Sequence, residues 1–333
     1  MMKLRAALPD DKSAIIDLLR KSLGESTIPK SEILWNWKHE QNPFGPSYLL
    51  LAEEDDKLVG VRAFMRWEWR WRGQIYQAIR AVDTATDPAY QGRGIFKKLT
   101  LEQVAICKNE GISFVFNTPN NQSKPGYLKM GWVEQGKLPL KFKVLRPLSM
   151  AYLRIFKENK SVEIVDHLSP LPDWDIDIPN LVEKAVVNSD YVSTHQSAEY
   201  ISWRYDKNPL FRYHYFTDHS SFLIISRLKK HSFGCELRIV EFFLLDPKSD
   251  HRSLNKEAKR QVMEYCKIHK VGFVSASGLQ CSLYKNCFSW MGFIPVRAMG
   301  PSITLRDLNM NGKFQDLLAM KNWAYSLGDL ELF

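Results

Sequence analysis

The densest concentration of usable chemistry lies in Val82-Asp83-Thr84-Ala85-Thr86-Asp87-Pro88-Ala89-Tyr90-Gln91-Gly92-Arg93-Gly94-Ile95-Phe96-Lys97-Lys98. A strand-forming run ends at a proline, a loop with two glycines follows, and a helix-forming run starts from that loop. Glycine lets a backbone approach a ligand closely, and the first amides of a helix lack partners and sit at the positive end of its dipole. Together they suit an anion such as a pyrophosphate, and Arg93, Lys97 and Lys98 add positive charge. The loop lacks the Gly-Lys-Ser/Thr of a Walker A motif and the G-x-G-x-x-G of a dinucleotide site. An ordinary turn into a helix would also use these two glycines.

Gln91, Gly92, Arg93, Gly94 and Ile95 resemble motif A of the GNAT acetyltransferases, Gln/Arg-x-x-Gly-x-Gly/Ala, set between a strand and a helix as in that family. The resemblance implies acetyl-CoA as co-substrate, its pyrophosphate held by the backbone amides from Gly92 to Phe96. It also places the pantetheine arm and the thioester carbonyl along Thr84, Ala85 and Thr86, where a backbone N–H would stabilise the oxyanion. Phe96 departs from the motif, standing where Gly or Ala is usual.

A second segment, Asn120-Asn121-Gln122-Ser123-Lys124-Pro125-Gly126-Tyr127-Leu128-Lys129-Met130-Gly131-Trp132, resembles the family's Asn-x6-Tyr-x-x-x-Gly-Phe. By that resemblance Tyr127 lies near the thioester sulfur and protonates the departing thiolate, a step a phenol can perform when geometry favours it. Asn120 would orient the coenzyme arm. The other reading of Tyr127 is a core-edge aromatic whose hydroxyl meets a carbonyl, and Asn120 is equally a turn former. For the base that takes the amine proton there are two candidates, Asp83 near the end of its strand and Glu68 on the preceding one. Either carboxylate is also compatible with a solvated or ion-paired surface role.

The elements needed to position these residues follow from periodicity. Residues 2 to 7 read as a strand. Pro9-Asp10-Asp11 opens a helix with Ile15, Leu18, Leu19 and Leu23 at helical spacing, and Ser31 caps a second helix that stops before Asn42-Pro43. Strands are expected at about 47 to 54, 57 to 71 and 74 to 86. In the middle one Met65, Trp67, Trp69 and Trp71 alternate with Arg66, Glu68, Arg70 and Arg72, a pattern that fits one packed sheet face better than a sugar-stacking surface. A helix from Gly92 to about Asn109, a strand 112 to 117, a helix 123 to 130 and a final strand 131 to 145 complete the unit.

This plan is used twice. Ser31-Glu32-Ile33-Leu34-Trp35-Asn36-Trp37 to Asn42-Pro43 recurs as Ser197-Ala198-Glu199-Tyr200-Ile201-Ser202-Trp203 to Asn208-Pro209, with Trp37 and Trp203 set 166 positions apart. Ile79-Arg80-Ala81-Val82-Asp83 matches Leu237-Arg238-Ile239-Val240-Glu241, and Lys129-Met130-Gly131-Trp132 matches Trp290-Met291-Gly292-Phe293, in the same order. The second copy reads Asp246-Pro247-Lys248-Ser249-Asp250-His251-Arg252 where the phosphate loop should be, without glycines, and Phe288 takes the place of Tyr127. The expected fold is a mixed α/β (α+β) arrangement of two tandem GNAT-like domains, each a mostly antiparallel twisted sheet flanked by helices. Residues 1–148 would be the acyl-CoA-binding catalytic domain and 149–333 a degenerate copy that shapes the acceptor site or serves structure.

Composition bounds the rest. The 333 residues are 45% hydrophobic and 25% charged, with 17 Gly and 16 Pro, which excludes collagenous and low-complexity classes. No apolar run reaches the ~18 to 20 residues of a bilayer span, and the first residues lack a signal-peptide core. The five cysteines show no C-x-x-C pair and the eight histidines no ligand cluster, so a reduced cytoplasmic setting and no metal are expected. Of the net charge of +9, residues 1 to 150 carry 23 basic against 16 acidic side chains, in keeping with a polyanionic coenzyme bound by the first copy. The leading reading is acyl-CoA-dependent N-acyl transfer to a small-molecule amine, an amino sugar or a surface-polymer precursor. A non-catalytic acyl-CoA-binding or scaffolding module is the alternative; nucleic-acid binding ranks last, without a basic helix or interleaved aromatics to support it. The oligomeric state is left open.

Overall fold

A computed structural model of the chain describes residues 2–24, 29–156, 174–175, 177–185, 190–246, 248–277, 292–296 and 299–330. The chain forms two compact units, one from residues 1–136 with 302–319 and 332–333, the other from 137–301 with 320–331.

The first unit opens with β1 (Lys3–Ala6), α1 (Lys12–Leu23) and α2 (Glu32–Trp35), the last running into a π-helical turn at Asn36–Glu40. Ser31 caps α2 by accepting the Leu34 N–H at 3.2 Å. Three long antiparallel strands follow, β2 (Tyr48–Glu54), β3 (Lys57–Trp71) and β4 (Gln74–Thr86). Both hairpin turns use paired positive φ angles, at Asp55 and Asp56 and at Arg72 and Gly73, the two-residue geometry that matches strand twist. Trp67, Trp69 and Trp71 are all buried, and Trp67 and Trp69 pack edge-on to Phe116: the alternating tryptophans are core. Then come α3 (Ile95–Asn109), β5 (Phe114–Asn117), α4 (Lys124–Lys129) and β6 (Val133–Lys137).

The expected strand 131 to 145 is in fact two. It breaks at Leu138-Pro139, and β7 (Leu140–Val144) leaves the first unit to pair with strands of the second. In exchange β14 (Ser302–Asp307), from the far end of the chain, lies antiparallel to β5, so the sheet reads β1-β2-β3-β4-β5-β14-β6. Asn309 Nδ2 donates to the carbonyls of Lys108 and Ile112 at 2.8 Å, and Thr304 hydrogen-bonds Asn117. The two units therefore part at Gly136/Lys137, with Ser302–Ala319 returned to the first, whereas the repeat alone suggested a single cut at 148/149. Local pattern could not reveal this, since both strands alternate apolar and polar residues and are strand-like wherever they pair.

The second unit contains α5 (Pro147–Phe156), α6 (Ile178–Ala185), the short β8 (Ser193–Thr194), α7 (Ala198–Ile201) with a π-helical turn at Ser202–Asp206, β9 (His214–Thr217), β10 (Phe222–His231), β11 (Gly234–Leu244), α8 (His251–Ile268), β12 (Phe273–Ser277) and β13 (Ile294–Val296). Its sheet order is β13-β7-β12-β11-β10-β9. The duplication is visible in detail. Ser197 caps α7 as Ser31 caps α2, a π turn follows in each copy, and one parallel pair, β4–β5 or β11–β12, sits beside the exchanged strand. Phe288, Cys281, Cys287, Pro170 and Pro172 lie outside the described residues.

Among the described residues no helix is long and apolar enough to cross a membrane, and no cluster of His, Cys, Asp and Glu is arranged to hold a metal ion.

Candidate active site

The parallel pairing of β4 with β5 covers only Ala78–Arg80 against Phe114–Phe116. Beyond Arg80, β4 runs on to Thr86 with its β5-side edge unpaired in that ladder, while its other edge stays bonded to β3. Thr84, Ala85 and Thr86 lie on this open stretch, where a ligand can replace the missing strand. The strand bends just before it. Arg62 pairs with Thr84 but Phe64 pairs with Ala81, so Val82 and Asp83 together face the single residue Ala63, a β-bulge.

At the end of β4 the Asp87 side chain accepts the Ala89 N–H and pairs with Lys21 at 2.9 Å. Gly92 and Gly94 then take φ of +78° and +74°, and a Cβ at either would meet open space. They are glycines for conformation, and the space above them is free. The helix expected from Gly92 begins at Ile95. Its first bond to the loop is Lys98 N–H to Gly94 C=O at 3.1 Å, so the amides of Ile95, Phe96 and Lys97 precede the helical ladder, and no side chain caps them. Of the nearby polar groups, Gln91 Nε2 makes a long 3.5 Å contact with the Thr86 carbonyl. Arg93 pairs with Glu54 at 3.0 Å while remaining largely exposed.

The same place in the second copy is closed. Asp250 accepts the N–H groups of Arg252 and Ser253 at the start of α8, so its carboxylate occupies the site an anion would take. One helix end is self-capped; at its repeat partner no side-chain cap is made among the described residues.

Phe96, the departure from motif A, has a visible role. Its ring reaches to 3.6 Å from where a Cβ on Gly126 would stand and meets Tyr127 edge-on at 5.6 Å, and Tyr127 in turn meets Trp132 at 5.1 Å. Such pairs add about 0.5–1.5 kcal/mol each beyond burial. Phe96 thus ties the first turn of α3 to α4. Tyr127 is buried, and its hydroxyl oxygen accepts a hydrogen bond from Arg62 Nη2 at 2.9 Å. With the acceptor side engaged, the hydroxyl proton is free to be donated elsewhere.

Asp83 does not stand free. Oδ2 receives Lys38 Nζ at 2.7 Å and His39 Nε2 at 3.0 Å, and His39 Nδ1 meets Ser47 Oγ at 2.9 Å. Burial opposes the Asp83 charge, yet the Lys38 and His39 partners outweigh it and hold the carboxyl well below its usual range. Burial pushes His39 down, so the ring is neutral at physiological pH, an Nε2–H donor to Asp83 and an Nδ1 acceptor for Ser47. An ion-paired carboxylate of this kind is a poor proton acceptor. Glu68 lies six residues along β3 from Arg62, roughly 20 Å at the usual strand rise, and accepts from its cross-strand neighbour Gln77 at 2.7 Å. The structure does not bring it to Tyr127 or to the loop. Asn120 uses its side-chain oxygen to accept the N–H groups of Gln122 and Ser123, an Asx turn that starts α4.

Sequence reasoning missed Arg62, Lys38 and His39. Arg62 had a signal: it is the one charge in the otherwise apolar run Leu58-Val59-Gly60-Val61-Arg62-Ala63-Phe64. Lys38 and His39 had only their matches in the repeat, Arg204 and Tyr205, which sit on the second π turn; there Tyr205 hydrogen-bonds Glu241, at the corresponding bulge of β11.

Residues 3–134 match the sequence profile of the acetyltransferase (GNAT) domain. No curated protein sequence matches the chain. Among solved structures, a conserved protein of unknown function from Enterococcus faecalis V583 superposes with a TM-score of 0.63 at 12% identity, over 94% of this chain and 74% of that one. A GCN5-related N-acetyltransferase from Anabaena variabilis gives 0.58 at 15% identity, over 93% and 73%. Saccharomyces cerevisiae N-myristoyltransferase gives 0.53 at 10% identity, over 92% and 79%. At these identities the likeness is one of fold, and it extends over both units. Residues 3–134 thus match the GNAT acetyltransferase domain, and the fold of these structures is shared along most of the chain's length.

Proposed function

We propose that the first unit transfers an acyl group, acetyl in the simplest case, from coenzyme A to a primary amine. The observation that carries this reading is the contrast between the two helix starts. The amides of Ile95, Phe96 and Lys97 are left uncapped above open space, whereas the matching amides in the second unit are filled by Asp250. A coenzyme pyrophosphate suits those amides, and the unpaired edge of Thr84 to Thr86 suits the pantetheine arm.

The thioester supplies an activated carbonyl. Attack by a neutral amine forms the C–N bond, and as the C–S bond breaks its electron pair goes to sulfur. Tyr127 then gives its hydroxyl proton to that sulfur and is reprotonated from solvent. The amine proton leaves to water, since Asp83 is held in its ion pair with Lys38 and Glu68 lies far along β3. In this reading Asp83 fixes the bulge that shapes the open edge, and Asn120 builds α4. Acceptors in keeping with the resemblance are small amines, amino sugars and surface-polysaccharide precursors.

Tyr127→Phe tests the proposal. Thiol release from acetyl-CoA, with the best acceptor from a panel of amino sugars, amino acids and polyamines, should fall by at least about ten-fold while coenzyme binding persists. Unchanged turnover would remove Tyr127 as the acid. No turnover by the wild-type protein with any acceptor, alongside retained coenzyme binding, would favour the non-catalytic module.

A further inference from the structure

Arg62 is fully buried, and its guanidinium lies 4.5 Å from the ring centroid of Phe64, 5.7 Å from that of Phe96 and 5.5 Å from that of Tyr127. Nη2 donates to the Tyr127 hydroxyl; Nε and Nη1 have no partner among the described residues. A cation withdrawn from water without a carboxylate is costly, and cation–π contacts offset only part of that cost. The placement is well defined. Gly60, Arg62 and Phe64 alternate onto the face of β3 that meets α3, as shown by the closeness of Gly60 to Ile95 and Leu99 and by the core cluster that Phe64 shares with Val104 and Cys107 of α3. On the neighbouring strand Arg62 is in register with Thr84, the start of the open edge. The charge therefore sits between the first turn of α3, the open edge of β4 and the Tyr127 hydroxyl.

We infer that Arg62 is a positioning residue for Tyr127: it occupies the acceptor side of the hydroxyl so that the O–H is aimed outward, and it stabilises the negative oxygen left when that proton passes to the departing sulfur. The inference rests on the acyl-transfer reading and adds to it a residue that touches neither coenzyme nor acceptor. Atoms balance as before: the phenolic proton goes to sulfur, the phenolate is held by the Arg62 N–H, and a solvent proton restores the phenol.

The test is a double-mutant cycle on the full chain, measuring thiol release from acetyl-CoA with Tyr127→Phe, Arg62→Met, Arg62→Lys and the two combinations. Arg62→Met should lower kcat at least ten-fold and leave KM for acetyl-CoA within about three-fold. Adding Tyr127→Phe to it should cost less than three-fold more, because the two residues act as a unit. If Arg62→Met fails to fold by circular dichroism, the Arg62→Lys background decides: there too Tyr127→Phe must cost clearly less than in the wild type, and kcat should be partly retained. A folded Arg62 variant with unchanged kcat, or effects of Arg62 and Tyr127 that simply multiply, would overturn the inference while leaving the role of Tyr127 intact. An unaffected Tyr127→Phe enzyme would instead overturn the acyl-transfer reading of that residue.

Discussion

Gly60 offers a sharp test of how the phosphate loop is held. It lies in β3 directly below α3, and a Cβ there would stand 2.8 Å from Ile95 Cγ2, 3.0 Å from Leu99 Cδ1 and 3.4 Å from Ala52 Cβ. Its backbone needs no positive φ, so Gly60→Ala adds one methyl and no torsional strain. Carbon pairs prefer about 3.5–4.0 Å, so the first turn of α3 must lift by roughly 0.7–1.2 Å. The Ile95 contact cannot be relieved by swinging the end of a long side chain, because Cγ2 is fixed to the branched Cβ. Overpacking of this kind costs about 1–3 kcal/mol. Part of it is expected as a lower unfolding midpoint. The rest should be felt as weaker coenzyme binding, because the amides of Ile95 and Phe96 move with that turn while the open edge of β4 stays in place. Losing one charge-assisted hydrogen bond of about 1.5–3 kcal/mol corresponds to roughly 10- to 150-fold in Kd for coenzyme A by titration calorimetry. Ile95→Ala on the Gly60→Ala background should recover part of the loss. Coenzyme A affinity within two-fold of wild type, or a double variant no better than the sum of the singles, would refute the reasoning.

Three further outcomes are expected. Gly94→Val forces a β-branched residue into φ +74° with nothing for its side chain to clash against, so any loss of coenzyme A affinity by calorimetry reports loop conformation; an unchanged Kd would show that the loop is not the cradle. Lys38→Met removes the buried partner of Asp83 and should destabilise by about 3–5 kcal/mol in urea, most of it recovered in Lys38→Met/Asp83→Asn; an undiminished loss in the pair would deny the ion pair its role. In the second unit, burial and the nearby Asp329 push Glu241 up to about 8. Because the folded state keeps a proton that the unfolded chain has released, this group costs stability as pH rises from about 4.5 towards 8, by a few kcal/mol at most. Glu241→Gln should therefore gain on the wild type between pH 5 and 8 in urea unfolding, and a difference that is flat or shrinks with pH would contradict this.

The sequence was most readable where one residue pattern meets one physical cause. The boundaries of β2, β3 and β4 were readable because alternation is local, and the turns found between them, at Asp55-Asp56 and Arg72-Gly73, are local as well. The helix bearing Tyr127, expected at 123 to 130 and found at Lys124–Lys129, was readable because its signals are local too. Gly60 carried no such mark, since its reason is a helix placed against it by residues far along the chain. Asp83 was a candidate base in sequence because it stands near the end of its strand, but the ion pair that engages it depends on Lys38 and His39, placed by the π turn after α2. Asn120 answered to both of its readings in sequence, and the hydrogen bonds of the Asx turn show which atoms it spends. The exchange of β7 and β14 was invisible because pairing partners are chosen by tertiary closure, long after the local propensity is satisfied.

That exchange has a consequence for the order in which the protein is made. The unit bearing Tyr127 and the loop is encoded almost entirely in the first 136 residues, yet it borrows β14, and the Thr304–Asn117 contact spans 187 residues. As the chain emerges from the ribosome, β5 must wait with one edge bare until nearly the whole polypeptide has been synthesised, while β7, already emerged, waits for β12 and β13. Long-range closure of this kind is slow, and a bare apolar strand is a target for mispairing. The half of the molecule that begins first is thus among the last to be completed, and a nascent fragment cannot possess a finished first sheet before most of the second unit has also been translated.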